Sequence, residues 1–134
     1  MCKDSSKREM KRILVADDSM ATRALVSAAL TELQNIQVER VSTGIEAIKV
    51  LSTSPVDLVL TDIHMPEING LELVRFIKSD QRLRAIPVIV ISTEAAEDDR
   101  HRALSLGADD YLPKPFTATQ LQHTIKKHLV NSKW

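Results

Sequence analysis

The sequence predicts an α/β fold: a doubly wound parallel sheet of five strands with five helices spread over its two faces. Short apolar runs alternate with segments whose apolar residues recur at intervals of three and four, the signatures of buried strands and amphipathic helices. That alternation implies crossover connections and a parallel sheet covered on both sides. A further observation concerns one edge of this sheet. Asp17, Asp18, Asp62, Ser92 and Lys114 each follow or close an apolar run. Parallel strands would bring those ends together, and ligands of open α/β sheets bind beyond the carboxyl ends of the strands.

The elements follow in chain order. Met1 to Lys11 is polar and charged and is expected to be a loose tail, 1–11, ahead of a domain spanning 12–131. Ile13 to Ala16 is a continuous apolar strand. Ser19 is suited to cap the first helix, whose apolar face is Thr22, Leu25, Val26, Ala29, Leu30 and Leu33. Ile36 to Val41 makes a weaker strand. Gly44 to Leu51 reads as a short helix with Ile45, Ile48 and Leu51 inward, and Pro55 ends the stretch. Asp57 to Thr61 is the third strand, and 62–69 forms a loop containing Pro66. Gly70 opens a helix with Leu71, Val74 and Ile77 on its inner face. Pro87 to Ile91 is the fourth strand. A helix runs from about Ala95 to Leu106 and stops at Gly107, where a left-handed terminus favours glycine. Asp109 to Leu112 is the fifth strand. Thr117 and Gln120 have capping-box spacing and begin a last helix with Leu121, Ile125 and Leu129 inward.

The bulk properties bound the function. A chain of 134 residues fits one domain, and 43% hydrophobic residues supply a core without covalent staples. Lys and Arg total 18, as do Asp and Glu, so the net charge is zero. This argues against direct nucleic-acid binding, which rests on a cationic surface. The single cysteine, Cys2, cannot form an internal disulfide, which suits a reducing compartment. No apolar run approaches the ~18 residues of a membrane span, and no signal-type apolar region follows Met1. A cytosolic protein without membrane insertion is expected.

The chemistry rests on the strand-end cluster. Adjacent carboxylates at Asp17 and Asp18 repel each other, and burial makes both harder to keep charged. A bound cation removes that difficulty, and a compact all-oxygen site suits Mg²⁺. Asp62 is a candidate nucleophile toward phosphorus, since an aspartate can hold a phosphoryl group as an acyl phosphate. Lys114, between Pro113 and Pro115, needs a partner at a buried strand end. Asp62 is the expected one, and the Lys114–Pro115 bond is a candidate for the cis form. Ser92 offers a hydroxyl, with Thr93 as its rival pointing the other way. Taken singly, each residue also fits a plainer role: a solvated Asp pair, a turn aspartate, a surface lysine, a polar strand end.

The segments LVADDS at 14–19, LVLTDIHMPEINGLEL at 58–73, PVIVISTEA at 87–95 and GADDYLPKPF at 107–116 resemble the response-regulator receiver family, especially its single-domain chemotaxis regulators of the CheY type. The resemblance extends over about residues 12–130. It implies a flavodoxin-like strand order, 2-1-3-4-5, and a phosphorelay switch in signal transduction. Asp62 would accept phosphate from a sensor histidine kinase. Asp17, Asp18 and Asp62, with the backbone carbonyl of His64, would hold Mg²⁺. Lys114 and Ser92 would contact the phosphoryl group, and Tyr111 would move inward with Ser92. The surface of helix four, strand five and helix five would then bind a downstream target protein, and a phosphatase is a possible further partner. His64 and Glu94 would tune phosphoryl lifetime.

Other readings are weaker. A phosphatase with an aspartyl-phosphate intermediate needs a second acid–base carboxylate, but His64 stands two residues past Asp62. A nucleotide-binding domain needs a glycine-rich turn after the first strand, and the three glycines, Gly44, Gly70 and Gly107, lie elsewhere. The chain also fits a fragment of a longer regulator. His101, His123 and His128 lie on predicted helices without metal-ligand spacing and are expected to be solvated.

Overall fold

A computed structural model of the chain describes residues 10–93 and 97–131. Strands β1 (Lys11–Ala16), β2 (Ile36–Val41), β3 (Leu58–Asp62), β4 (Val88–Ser92) and β5 (Asp110–Pro113) alternate with helices α1 (Met20–Thr31), α2 (Gly44–Thr53), α3 (Gly70–Ser79), α4 (Glu97–Ser105) and α5 (Ala118–Asn131). The sheet is wholly parallel, in the order β2-β1-β3-β4-β5. The chain reverses its direction of winding at β1 and β3, which therefore flank the topological switch point.

Alternate residues of the central strands serve opposite faces. Ile13, Val15, Leu58, Leu60, Ile89 and Ile91 pack with Val26 and Leu30 of α1 and with Leu121, Ile125 and Leu129 of α5. Leu14, Ala16, Val59, Val88 and Val90 pack with Ala47 and Leu51 of α2, Leu71, Val74 and Ile77 of α3 and Ala103 of α4. Burial on both faces explains why these strands read as continuous apolar runs.

The termini of the elements follow local rules. Ser19 Oγ accepts from the Thr22 amide, and Thr117 and Gln120 exchange the reciprocal bonds of a capping box. A second box, Asn69 with Glu72, starts α3. Gly107 adopts φ +112° at the end of the α4 segment, a conformation that disfavours any side chain. Behind it, Lys78 Nζ fastens three segments together: it donates to Arg84 O at 3.1 Å and Ile86 O at 2.8 Å, and pairs with Asp109 Oδ2 at 2.9 Å.

Several expectations shift. The strand begins at Lys11, inside the stretch expected to be tail, because the Lys11 amide donates to Asn35 O and the residue pairs with Ile36. Residues 1–9, Cys2 among them, lie outside the described residues. The third, fourth and fifth strands each sit one residue later than expected. The ladder continues through Asp62 opposite Ile91 and Ser92 opposite Pro113, which carries both polar residues into the sheet.

Two apolar residues assigned inward are turned out: Leu25 is 47% exposed and Ile45 is 41% exposed. On α2, Gly44 and Ala47 are buried where Ile45 is not, and on α1 the buried residues are Val26, Ala29 and Leu30, all of them expected inward. Leu60→Ala is therefore expected to cost about 3 kcal/mol, as a fully buried leucine should, and Ile45→Ala less than about 0.5 kcal/mol. Urea denaturation of the two variants checks this; comparable losses would contradict the helix orientation.

Candidate functional site

Strand ends and the turn after β1 build the site. The Asp17 amide donates to Val41 O at 3.1 Å, which extends the ladder with β2 by one residue. Asp17 is fully buried. Its Oδ1 accepts from the Ser19 amide at 2.8 Å and its Oδ2 from Lys114 Nζ at 3.0 Å. Its carbonyl accepts from Arg23 Nη1 at 2.6 Å. Asp18, the next residue, is exposed. Asp62 closes β3, buried to 6% exposure. Each of the three aspartates presents a carboxylate oxygen, and these atoms lie within 4.8 Å of one another.

Lys114 is placed by its backbone. Its amide donates to Ser92 O at 2.8 Å, and the following peptide bond to Pro115 is cis. Its ammonium lies 3.8 Å from Asp62 Oδ1 but only 3.0 Å from Asp17 Oδ2. The expected partner, Asp62, is thus the more distant of two. Asp17, with no exposure at all, cannot satisfy its charge with water and takes the shorter bond.

Asp62 is the strained charge in this group. Burial, and next the carboxylate of Asp17, raise its pKa from 3.8 to about 6, against the opposing influences of Lys114, the Ile63 amide and His64. Its position depends on Gly70. The Gly70 amide donates to Ile63 O at 2.8 Å, and a Cβ at Gly70 would collide with the Asp62 carbonyl oxygen and lie 2.8 Å from its carbon. A Cβ at Gly44 would likewise collide with the Ile68 carbonyl oxygen. Two helix N-termini without side chains therefore press against the loop that follows Asp62. Sequence reading found Gly70 only as a helix opener; this close approach needs the fold.

The remaining candidates are distributed as follows. Ser92 is fully buried at the end of β4, whereas Thr93 is exposed. Thr93 lines a cavity of about 400 Å³ with Thr22, Leu25, Lys114, Pro115 and Phe116. Tyr111 is half-buried on β5 opposite Val90 and packs against the face that carries α2 to α4. His64 is exposed. Glu94 lies outside the described residues.

His128 departs from the solvated role expected of it. It is 13% exposed, and its Nε2 lies 2.9 Å from Asp110 Oδ2, tying α5 to the start of β5. Burial pushes the Asp110 carboxyl up. Hydrogen bonds from His128 and from the Tyr111 amide, with the charges of His128 and Lys127, outweigh that and hold it below its usual value. Spacing along the chain could not reveal a contact between a strand and a helix 18 residues apart. His123 is exposed as expected.

Comparison with known proteins gives one consistent result. The family model for the response regulator receiver domain matches residues 13–126. The chain is 35% identical to chemotaxis protein CheY1 of Helicobacter pylori over 116 residues, which are 86% of this chain and 94% of that protein. Among solved structures, the signal receiver domain of a signal transduction histidine kinase from Syntrophus aciditrophicus superposes with a TM-score of 0.85 at 35% identity, covering 92% of each chain. The receiver domain of the sensor histidine kinase PA1611 from Pseudomonas aeruginosa PAO1, with a magnesium ion coordinated in its active site cleft, superposes at 0.82 with 28% identity, covering 90% of this chain and 98% of that one.

The raised pKa of Asp62 sets a pH dependence. The unfolded chain releases this proton near 3.8 and the folded one near 6, so the folded state holds more protons between those values. Without divalent cations, this group makes stability fall as pH rises through that window, and the full penalty persists above it. In EDTA at pH 7, Asp62→Asn is expected to be more stable than the parent by about 1–2 kcal/mol, allowing for solvent at the open edge. At pH 4, close to the unfolded value, the difference should shrink to a few tenths of a kcal/mol, about 0.2–0.4; equal melting temperatures at both pH values would contradict the crowding of Asp62 and Asp17. Gly70→Ala is expected to lose about 2–3 kcal/mol through the forced displacement of the Asp62 backbone. A loss under 0.5 kcal/mol in chemical denaturation would show the contact to be compliant.

Proposed function

This chain belongs to the response regulator receiver family, and from that membership we propose that it is a Mg²⁺-dependent phosphoacceptor switch in which Asp62 carries the phosphoryl group. The observation that carries this reading is the convergence of Asp17, Asp18 and Asp62 with the ammonium of Lys114 at the edge of the sheet. The donor set fits the metal. It is all oxygen and anionic, and it is compact enough for one small hard cation. Asp17, Asp18 and Asp62 would hold it, with the His64 carbonyl as a further oxygen. When bound, Mg²⁺ offsets the repulsion between the carboxylates and the incoming phosphoryl oxygens.

The residues divide the work. A carboxylate oxygen of Asp62 attacks the phosphorus of a phosphohistidine on a sensor histidine kinase. The new P–O bond forms as the P–N bond breaks, and the released imidazole nitrogen takes up a proton. Lys114 is already 3.8 Å from Asp62 Oδ1; in the phosphorylated form it pairs with a phosphoryl oxygen. Ser92 turns its hydroxyl toward the same group. Tyr111, half-buried on the neighbouring strand, then moves inward and changes the surface of α4, β5 and α5 that a downstream protein reads. Such a switch needs two arrangements close in energy, so that one phosphoryl group can shift their populations. Control of how long the acyl phosphate lasts is assigned to His64 and Glu94.

The 35% identity to CheY1 of Helicobacter pylori over 116 residues supports a regulator of the chemotaxis type. Among the described residues no helix is long and apolar enough to cross a membrane, and we place the protein in the cytosol, where a kinase phosphohistidine is accessible. With Mg²⁺ and radiolabelled acetyl phosphate, the parent protein is expected to label and Asp62→Asn to show at least about 100-fold less, since the variant lacks the carboxylate proposed as nucleophile. Label persisting on the variant would reassign the acceptor.

A further inference from the structure

We infer that Arg23 is a positioning residue for the cation site: it fixes the peptide plane that aims Asp18. This rests on the reading of Asp17, Asp18 and Asp62 as cation ligands. The side chain of Asp17 needs no help, because the Ser19 amide holds one oxygen and Lys114 the other. Asp18 is different. It is exposed, so the packing that locks buried side chains does not lock it. Its direction depends on the peptide that joins it to Asp17. The oxygen of that peptide is the Asp17 carbonyl, and Arg23 Nη1 grips it at 2.6 Å. A charged donor at that distance makes a strong hydrogen bond.

Arg23 is itself well anchored. It is half-buried and lies in the first turn of α1, its amide bonded to Ser19 O. One short helix turn thus closes a ring from the Ser19 cap, through the Arg23 guanidinium, back to the Asp17 carbonyl. Rotation of the Asp17–Asp18 peptide would break that ring.

The inference makes a prediction of opposite sign to simple electrostatics. Arg23 is a cation beside a cation site, so removing its charge should tighten Mg²⁺ binding if charge alone mattered. Removing a positioning group should weaken it, by about 10-fold on the scale typical of outer partners of metal ligands. The test is a Mg²⁺ titration of parent, Arg23→Ala and Arg23→Lys, followed by the rise in melting temperature over the value in EDTA. Half-saturation is expected at about 10-fold higher Mg²⁺ for Arg23→Ala and at an intermediate concentration for Arg23→Lys, which keeps the charge without the planar fork. Labelling by acetyl phosphate should reach the parental plateau once Mg²⁺ saturates.

Half-saturation at or below the parental concentration for Arg23→Ala overturns the inference. If that variant does not fold in EDTA, Arg23→Lys decides alone: weaker binding than the parent supports it and equal binding overturns it. Failure of the parent itself to bind Mg²⁺ would instead bring down the assignment of the aspartates.

Discussion

Like-charge crowding at the end of the sheet governs this molecule. Asp17 is wholly shielded from water, Asp62 nearly so, and Asp18 adjoins them. Among the described residues, the ammonium of Lys114 answers two of these carboxylates and reaches Asp17 first. The imbalance shows in Asp62, whose proton is held to an unusually high pH. A fold optimised only for its own persistence would not gather unbalanced carboxylates out of solvent. The surrounding structure holds the site in this state, which is the state the proposed cation and phosphoryl group would relieve.

The means of holding it are mostly backbone. Strand pairing extends to Asp62 and Ser92, so the same ladder that orders the core fixes their backbone. The Asp17 amide and carbonyl are both engaged, and the Lys114 amide is bonded to Ser92. Gly70 brings the start of α3 directly against Asp62. Side chains that must respond to ligands therefore project from a frame that does not yield. The switching residues proposed on β4 and β5 lie one and two strands away from Asp62 in the sheet, within the same frame.

Much of this was legible in the amino-acid sequence because it obeys local rules. Continuous apolar runs mark strands covered on both faces, and Ser19, Gly107 and the Thr117–Gln120 pair mark helix ends by chemistry that acts over a few residues. The polar residues closing those runs pointed to the edge where Asp17, Asp18, Asp62 and Lys114 converge. What stayed hidden depends on tertiary approach. Leu25 and Ile45 fit helical periodicity yet are exposed, and on α2 Gly44 and Ala47 are buried in place of Ile45, which hydrophobicity alone does not encode. Lys114 reads as a partner of Asp62 by position along the strands, but burial decides for Asp17. Arg23 and the His128–Asp110 tie join elements that no spacing rule connects.

The two glycines beneath the loop at 63–69 bear on how this chain can vary in length. Gly44 meets Ile68 and Gly70 meets Asp62 with no space for even one carbon, so the inner side of the loop admits nothing more. Its outer tip is another matter. Pro66 and Glu67 are exposed, and Glu67 already adopts the left-handed φ of 69° that turns the chain back. Insertions or grafted epitopes between those two residues would extend into solvent and leave the acidic edge in register. The same addition one step from either glycine would lever the third strand out of the sheet.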